Sequence, residues 1–355
     1  MNEVIGILGY GGKMGSALTG IIPKQLPIKL GQRHIRYIDR ENVEYQQVDI
    51  CDAVSMRAFT KGITILINCA GPSLKLLDFA AKAAAEAGIP YVDAFGGDIL
   101  EERLRKSGLK GSFVLNAGSF PGLTGAFPIE MANRYFEHVE CFSLELNNHE
   151  NWGKASALDL VFSAIHHYGK ANYYYKDGTL ILCEEDATPD AADGFSKSEY
   201  INQETVAIAE MLGASEAHLI QVRADMQEGK DLQQTIQQYI MTGNDHLLES
   251  KLENNGVKQI EDEYFKLSCN MKGVGKHHEE TVLEELTFAN SYLAGGVMLF
   301  HCINRIFALP DRLSLGIKSA YEVAEGALLL EECVAFGAER MINITETEEM
   351  EEGDL

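Results

Sequence analysis

The 355-residue chain carries 30 Lys and Arg against 53 Asp and Glu, a net charge of −23. That length exceeds one compact core and predicts two domains of roughly 100–200 residues each. The composition, 46% hydrophobic and 23% charged, is that of a globular chain, and the acidic balance disfavours nucleic acid or an anionic membrane as partner, because phosphate backbones reward Lys and Arg patches.

Six of the acids (Glu346, Glu348, Glu349, Glu351, Glu352 and Asp354) crowd into the last ten residues, which predicts a solvated acidic tail over 345–355. Seven widely spaced cysteines (51, 69, 141, 183, 269, 302 and 333) contain no CxxC pair. Buried free thiols in a reducing compartment are expected rather than a disulfide framework or zinc knuckle. A strand begins within three residues of the N-terminus, leaving no room for a secretory leader. The most apolar stretch, Leu293 to Leu309, is interrupted by His301, Asn304 and Arg305 and reads as a buried helix rather than a membrane span. A cytoplasmic protein without a membrane partner is the expectation.

In chain order, the first 125 residues alternate apolar runs with amphipathic stretches, the pattern of βαβ units. Strands are predicted at Val4–Leu8, Ile28–Leu30, Ile63–Asn68, Tyr91–Ala94 and Ser112–Leu115, with edge pieces at Ile35–Ile38 and Tyr45–Val48. Helices are predicted at Met14–Ile22, Leu76–Ala87 (closed by Gly88) and Ile99–Ser107. Right-handed crossovers lay such strands side by side with helices on both faces. Beyond residue 125 the pattern changes to strands at Val139–Asn147, Thr179–Cys183, His218–Ala224, Tyr264–Lys272 and Val282–Phe288. Helices lie between them at Ser156–Tyr168, Asn202–Met211 and Asp231–Thr242, with a polar loop over Glu184–Ser198. This predicts a mixed or antiparallel sheet. From Asn290 to Ala338 the chain returns to helix, broken at Leu309-Pro310.

The strongest chemical signal is Ile5-Gly6-Ile7-Leu8-Gly9-Tyr10-Gly11-Gly12-Lys13-Met14-Gly15, on the junction of the first strand and first helix. Glycines at 9, 12 and 15 permit a tight turn, close approach of a pyrophosphate to backbone N–H groups, and close helix–strand packing. The helix N-terminus adds a partial positive charge for the diphosphate. The end of the second strand discriminates between nucleotides. A ribose 2′-hydroxyl calls for an acid there and a 2′-phosphate for cationic groups. The chain offers Gly31-Gln32-Arg33-His34 with no acid until Asp39, and Arg33 is a natural fork for a phosphate, so NADP is expected over NAD. Later strand ends face the same crevice. Asn68, Cys69, Ala70, Gly71 and Pro72 are expected beside the nicotinamide ribose, Asp49 and Ile50 beside the adenine, and Asp93 at the ligand end of a strand. Asn116-Ala117-Gly118-Ser119-Phe120-Pro121-Gly122-Leu123 forms a glycine-rich turn at the domain junction.

Taken together, the glycine turn, Leu30-Gly31-Gln32-Arg33, Val48-Asp49-Ile50, Asn68-Cys69-Ala70-Gly71-Pro72, Tyr91-Val92-Asp93 and Phe120-Pro121-Gly122-Leu123 resemble, in that order, the saccharopine dehydrogenase-like reductases. The resemblance covers roughly residues 1–130. It implies an α/β chain with a Rossmann-type parallel-sheet domain and a second α+β domain inserted before C-terminal helices. It also implies NAD(P)-dependent oxidation or reduction at a C–N bond. The expected division is an NADP-binding domain over 1–125, a substrate and dimerisation domain over 126–289, and helices over 290–344 that pack back on the first domain. Sheet-extending dimers are common in such folds, so a homodimer is one expectation.

Arg and Lys are sparse between 135 and 230, with Lys154, Lys170, Lys176, Lys197 and Arg223. That is sparse for a substrate with several carboxylates, and a less anionic natural-product imine fits better. Reducing an imine needs a proton donor near the nicotinamide. Asp93, His149 and His166 are the candidates, each with a plainer reading: turn cap, strand-end polar cluster and helix C-terminal dipole partner. Cys69 lacks a neighbouring cation to activate it and reads as a packed side chain. His277-His278-Glu279-Glu280 does not form a metal set, because adjacent residues on a strand point to opposite faces. The alternative to an enzyme is a non-catalytic NADP-binding sensor or scaffold.

Overall fold

The computed structural model describes residues 3–165, 168–183, 189–190, 195–223, 234–235, 237–244, 250, 262–275 and 279–346. Two sheets organise it. The first is parallel throughout, with β1 (Ile5–Leu8), β2 (Ile28–Gln32), β3 (Val43–Gln47), β4 (Ile65–Asn68), β5 (Tyr91–Asp93), β6 (Ser112–Leu115) and, from far along the chain, β16 (Gly316–Ser319). Its order is β16-β6-β5-β4-β1-β2-β3. Every residue of β1 and β4 is buried, as expected where helices cover both faces of a parallel sheet. The order reverses direction between β1 and β4, and in open parallel sheets the ligand crevice opens at that point, beyond the carboxyl ends of the strands.

Helices α1 (Lys13–Ile21), α2 (Ala53–Phe59), α3 (Ser73–Leu76), α4 (Phe79–Ala87), α5 (Gly97–Ser107) and α6 (Leu123–Tyr135) join or follow these strands. The single helix expected over Leu76–Ala87 is instead split, because Leu77 adopts a left-handed φ of 49° between α3 and α4. Buried Asp78, at the break, pairs with Lys82 at 3.0 Å and Arg103 at 3.6 Å. The expected edge piece Ile35–Ile38 forms no strand. Its segment is tied down by Tyr10, whose hydroxyl donates to the Arg36 carbonyl at 2.7 Å and accepts from the Arg36 amide at 2.9 Å. Helix α6 is not legible in the sequence, since Gly125 and the internal Pro128 dilute its helical pattern.

The second sheet is mixed and ordered β10-β9-β13-β7-β14-β15-β17. Its spine is the 12-residue β7 (His138–His149), parallel to β13 (Glu216–Arg223) and antiparallel to β14 (Tyr264–Val274). β15 (Glu279–Phe288) returns antiparallel to β14. Shorter strands β8 (Gly169–Ala171), β9 (Tyr173–Lys176), β10 (Thr179–Leu182), β11 (Pro189–Asp190) and β12 (Phe195–Asn202) complete it. Helices α7 (Lys154–Ile165) and α8 (Gln203–Leu212) lie between strands. Asn202 caps α8 by accepting from the Thr205 amide, and Gly213 closes it at φ 68°.

The segment after residue 290 is not uniformly helical. The long helix Ser291–Ala308 packs on α1, and the helices Ala320–Val323 and Gly326–Ala335 follow. β16 enters the first sheet beside β6, and β17 (Glu339–Glu346) enters the second beside β15. Residues 345 and 346 therefore belong to a strand, and 347–355 lie outside the described residues. Gly296 allows the long helix to approach α1 closely, since a Cβ there would meet Ala17 Cβ and the Leu18 amide at 3.2 Å. The cysteines correct the expectation of buried thiols in part. Cys269, Cys302 and Cys333 are buried, Cys69, Cys141 and Cys183 are half-buried, and Cys51 is exposed. Among the described residues no helix is long and apolar enough to cross a membrane.

Candidate active site

The glycine turn sits where β1 feeds α1 at the reversal point of the sheet. Gly9 adopts φ 72°, and a Cβ on it would lie 2.6 Å from the Ala70 amide nitrogen and Cα, so only glycine lets the turn pass the end of β4. A Cβ on Gly15 would lie 2.5 Å from the Gly9 carbonyl oxygen and from Tyr10 Cα. Gly12 has room for a Cβ beneath it and is exposed at the N-cap of α1. No side chain caps that terminus, which leaves first-turn amides free for an anion. These features fit a dinucleotide: a cradle that added Cβ atoms would fill, and an uncapped helix start aimed at the crevice.

Gln32 and Arg33 leave the end of β2 beside this turn. The Gln32 side chain accepts from the Gly11 amide at 2.9 Å and donates to the His34 carbonyl, bridging the two loops. Arg33 and Arg36 are both exposed, and the Tyr10 clamp on the Arg36 backbone holds their segment against the glycine turn. Sequence reading singled out Arg33 but not Arg36, which becomes relevant only through this tyrosine contact.

Lys13 reaches the other way. Its ammonium donates to the Asn151 carbonyl, lies 3.8 Å from Glu263 and sits 5.1 Å from the centre of the Tyr292 ring. The backbone bond from Asn151 is the main influence holding the Glu263 carboxyl below its usual range. Thus the turn after β7 and the start of β14 close over the glycine loop.

On the opposite side of the reversal point, Asn68 at the end of β4 and Asp93 at the end of β5 are both buried. Asn68 donates to Asp93 Oδ2 at 3.0 Å and accepts from the Ala70 amide at 3.2 Å. The Tyr91 hydroxyl also donates to Asp93, and the Phe95 amide donates to Asp93 Oδ1 at 3.0 Å. Burial pushes the Asp93 carboxyl up to about 6 against these donors. It likewise drives the half-buried Cys69 thiol upward, with Asp93 adding to the effect, so the thiol is not activated.

The second domain presents two buried carboxyls to this region that sequence reading missed. Asp159 of α7 accepts from the Ser73 amide at 2.7 Å, and burial pushes it up to about 7. Glu204 of α8 accepts from the Gly122 amide at 2.8 Å and from the Thr124 hydroxyl at 2.5 Å at the start of α6, and burial again pushes it up to about 7. A lone acid within Ala157-Leu158-Asp159-Leu160-Val161 was the available signal for the first. The second was masked, because Glu in a first helical turn ordinarily serves the helix dipole. A small cavity opens between Asn68, Ser73, Asp93, Phe95 and Tyr168.

The remaining expected residues fall as follows. Asp49 is exposed and accepts from the Cys51 amide at 3.0 Å, while Ile50 is buried in the core with Met56 and Phe59. Gly71-Pro72, a cis peptide, leads into α3 opposite Asp159, with a Gly71 Cβ position 2.9 Å from Asp159 Oδ2. His149 packs its ring 5.7 Å from that of Tyr264, two residues before the Asn151 carbonyl that holds Lys13. It therefore stands on the glycine-turn side, and among the described residues no contact joins it to Asp93. His166 lies outside the described residues, as do His277 and His278.

No protein-family model matches the chain, and no curated protein matches it in sequence. Solved structures do resemble it. Apo saccharopine dehydrogenase (L-Glu forming) from Saccharomyces cerevisiae superposes with a TM-score of 0.66 at 11% identity, covering 97% of this chain and 100% of that one. The DAP dehydrogenase of C. glutamicum, in complex with DAP, gives a TM-score of 0.49 at 12% identity over 94% of this chain and 98% of that one. The architecture is thus a Rossmann-type domain carrying an α+β domain. More particularly, the chain has the saccharopine dehydrogenase-like fold along nearly its whole length.

Proposed function

We propose that the chain is an NADP-dependent oxidoreductase of the saccharopine dehydrogenase-like type, acting on a C=N or C–N bond of an amino-acid-like or natural-product substrate. The observation that carries this reading is the uncapped, glycine-cradled start of α1 at the reversal point of the sheet, with Arg33 and Arg36 held beside it by Tyr10. Gly9, Gly12 and Gly15 would pass the diphosphate close to the α1 amides, and Arg33, with Gln32 fixing its loop, would meet a ribose 2′-phosphate. When bound, the reduced nicotinamide supplies a hydride, and the imine takes that hydride at carbon and one proton at nitrogen to give an amine and oxidised cofactor.

The protein's own contribution is to place the substrate and hold the proton. Asp93, pushed up to about 6, lines the cavity beyond β4 and β5, and Asp159, pushed up to about 7, bonds Ser73 of that lining; a proton carrier works best when its pKa lies near the working pH. Asp93 already receives Tyr91, Asn68 and the Phe95 amide, so its role is to fix that wall. Asp159, approached from the second domain, is the better placed proton carrier. The fit of the two domains around the crevice, through Lys13, Asp159 and Glu204, would exclude water from the reacting bond.

Fluorescence or calorimetric titration of the full chain with NADPH and NADH tests the reading. NADPH is expected to bind more tightly, and binding of neither would refute the enzyme. Cofactor binding without turnover on any imine or amine supplied would leave a sensor or scaffold instead.

A further inference from the structure

We propose that the outer edge of β17 is a two-fold interface, at which two copies of this chain join their second sheets into one continuous sheet. The inference concerns the second domain alone and stands apart from the nucleotide reading. It starts from a strand edge that the fold leaves open.

The eight-residue β17 ends the second sheet and is bonded on one side to β15 along Glu280–Thr287. Among the described residues no strand pairs with its other side. Open edges are ordinarily blunted by brevity, charge, proline or a bulge, because their free N–H and C=O groups template pairing with another chain. The other ends of the two sheets are blunted in this way. β10 and β16 have four residues each, and β3 carries Glu44, paired with Lys29 at 3.0 Å. The centre of β17 has no such guard. Met341-Ile342-Asn343-Ile344-Thr345 contains no charge and no proline, and its register against β15 runs without a shift. Met341 is 54%, Ile342 43% and Ile344 48% exposed, so an apolar strand edge meets solvent in the single chain.

The strand also fits itself. When a strand pairs antiparallel with its own copy, the two-fold axis passes beside one residue that lies opposite itself. With the axis at Asn343, Ile342 of each copy lies opposite Ile344 of the other, Met341 opposite Thr345, and Arg340 opposite Glu346. Within β17 this is the one register that sets Arg340 against an acid. Opposed residues of antiparallel strands share a face. Ile342 and Ile344 stand opposite Glu284 and Val282 of β15, both fully buried. The four isoleucines of the pair would therefore extend the buried face of each sheet across the axis. Arg340 bonds Glu284 through Nε at 2.7 Å and keeps 21% of its side chain exposed at the rim.

Symmetry and charge favour a second copy of this edge as the occupant. Pairing β17 with itself closes after two chains, whereas β17 laid on the β10 edge of another copy would grow into an open filament. The net charge of −23 on each chain opposes association. The paired strands keep their acidic ends apart, however. At about 3.3 Å per residue, the two copies of Glu346 lie roughly 20 Å from one another, beyond a screening length of about 8 Å in physiological salt.

The test reads mass and register together. Light scattering of the full chain after size exclusion, at about 50 µM chain and about 0.15 M salt, is expected to give twice the chain mass. Asn343→Lys sets two like charges directly opposite. It is expected to raise the dimer dissociation constant by at least about tenfold while leaving the unfolding temperature of the chain unchanged. In a Cys51→Ser background, which removes the exposed native thiol, cysteines then read the register. Asn343→Cys places two thiols across the axis with Cα atoms about 4.5–5.5 Å apart, within disulfide reach. Met341→Cys places them about 13 Å apart, out of reach. Mild oxidation is expected to link the Asn343→Cys chains and leave the Met341→Cys chains single. A wild-type chain that is monomeric at that concentration overturns the proposal. So does a dimer that Asn343→Lys leaves intact, one in which Asn343→Cys fails to link, or one in which Met341→Cys links as readily.

Discussion

Gly15→Ala isolates the packing on which the nucleotide cradle depends. The added methyl would sit 2.5 Å from the Gly9 carbonyl oxygen and Tyr10 Cα, against an ordinary contact of 3.4 Å or more. The turn or the helix must therefore yield by about 0.9 Å. Neither is free to do so cheaply. The Gly9 amide donates to the Gly31 carbonyl at 2.9 Å, and the Gly12 amide donates to the Gly9 carbonyl at 3.0 Å. Overpacking of this kind costs about 1–3 kcal/mol of stability. The larger effect falls on the cofactor, because a shift near 1 Å carries the α1 amides out of hydrogen-bonding range of a diphosphate. Losing two such charge-assisted bonds, at about 1.5–3 kcal/mol each, raises the NADPH dissociation constant by at least about 100-fold. Gly20→Ala in the same helix is the control. A Cβ at Gly20 meets nothing within 4 Å, so that variant gains about 0.5–1 kcal/mol from helix propensity and binds normally. Thermal unfolding and NADPH fluorescence titration of the two variants side by side decide the matter. A Gly15→Ala protein that binds like wild type would show that the diphosphate does not lie on this turn.

Two further outcomes follow from the same geometry. Arg33→Ala should raise the NADPH dissociation constant by about tenfold while leaving NADH unchanged, as read by paired titrations; an equal loss for both would remove Arg33 from the 2′-phosphate. The buried carboxyls also make stability depend on pH. Asp93 at about 6, and Asp159 and Glu204 at about 7, titrate above their ordinary values. The folded state therefore holds protons that the unfolded state releases, and stability is lost as pH rises through these values. The unfolding temperature should fall between about pH 4.5 and pH 7, from the ordinary carboxylate value to the raised ones, and Glu204→Gln, which keeps an acceptor for Gly122 and Thr124, should flatten that fall. An unchanged slope in Glu204→Gln would mean that the general repulsion of the acidic chain sets it.

Much of the first domain is legible in the sequence because its information is local. The apolar runs Ile5–Leu8 and Ile65–Asn68, the glycine triplet and Gly88 at a helix end each declare their structure within a few residues. Helix α6 escaped, because Gly125 and Pro128 weaken its pattern and its support comes from distant Glu204 at Gly122 and Thr124. Strands β16 and β17 escaped for a related reason. Each is short or flanked by helix, and each gains its hydrogen bonds from partners about 200 or 60 residues away.

The candidate site divides in the same way. Gly9, Gly12, Gly15 and Arg33 are readable, since a nucleotide turn and the strand end beside it are contiguous motifs. Asp159 and Glu204 are not, because an isolated acid on a helix carries no signal until folding buries it against another domain and removes its water. Arg36 owes its relevance to the Tyr10 hydroxyl 26 residues earlier. The sequence by itself determined the glycine turn and the strand end beside it, where spacing along one strand and one helix suffices. Only the tertiary structure decided the other wall of the crevice, by burying Asp159 and Glu204 from helices of the second domain against Ser73, Gly122 and Thr124.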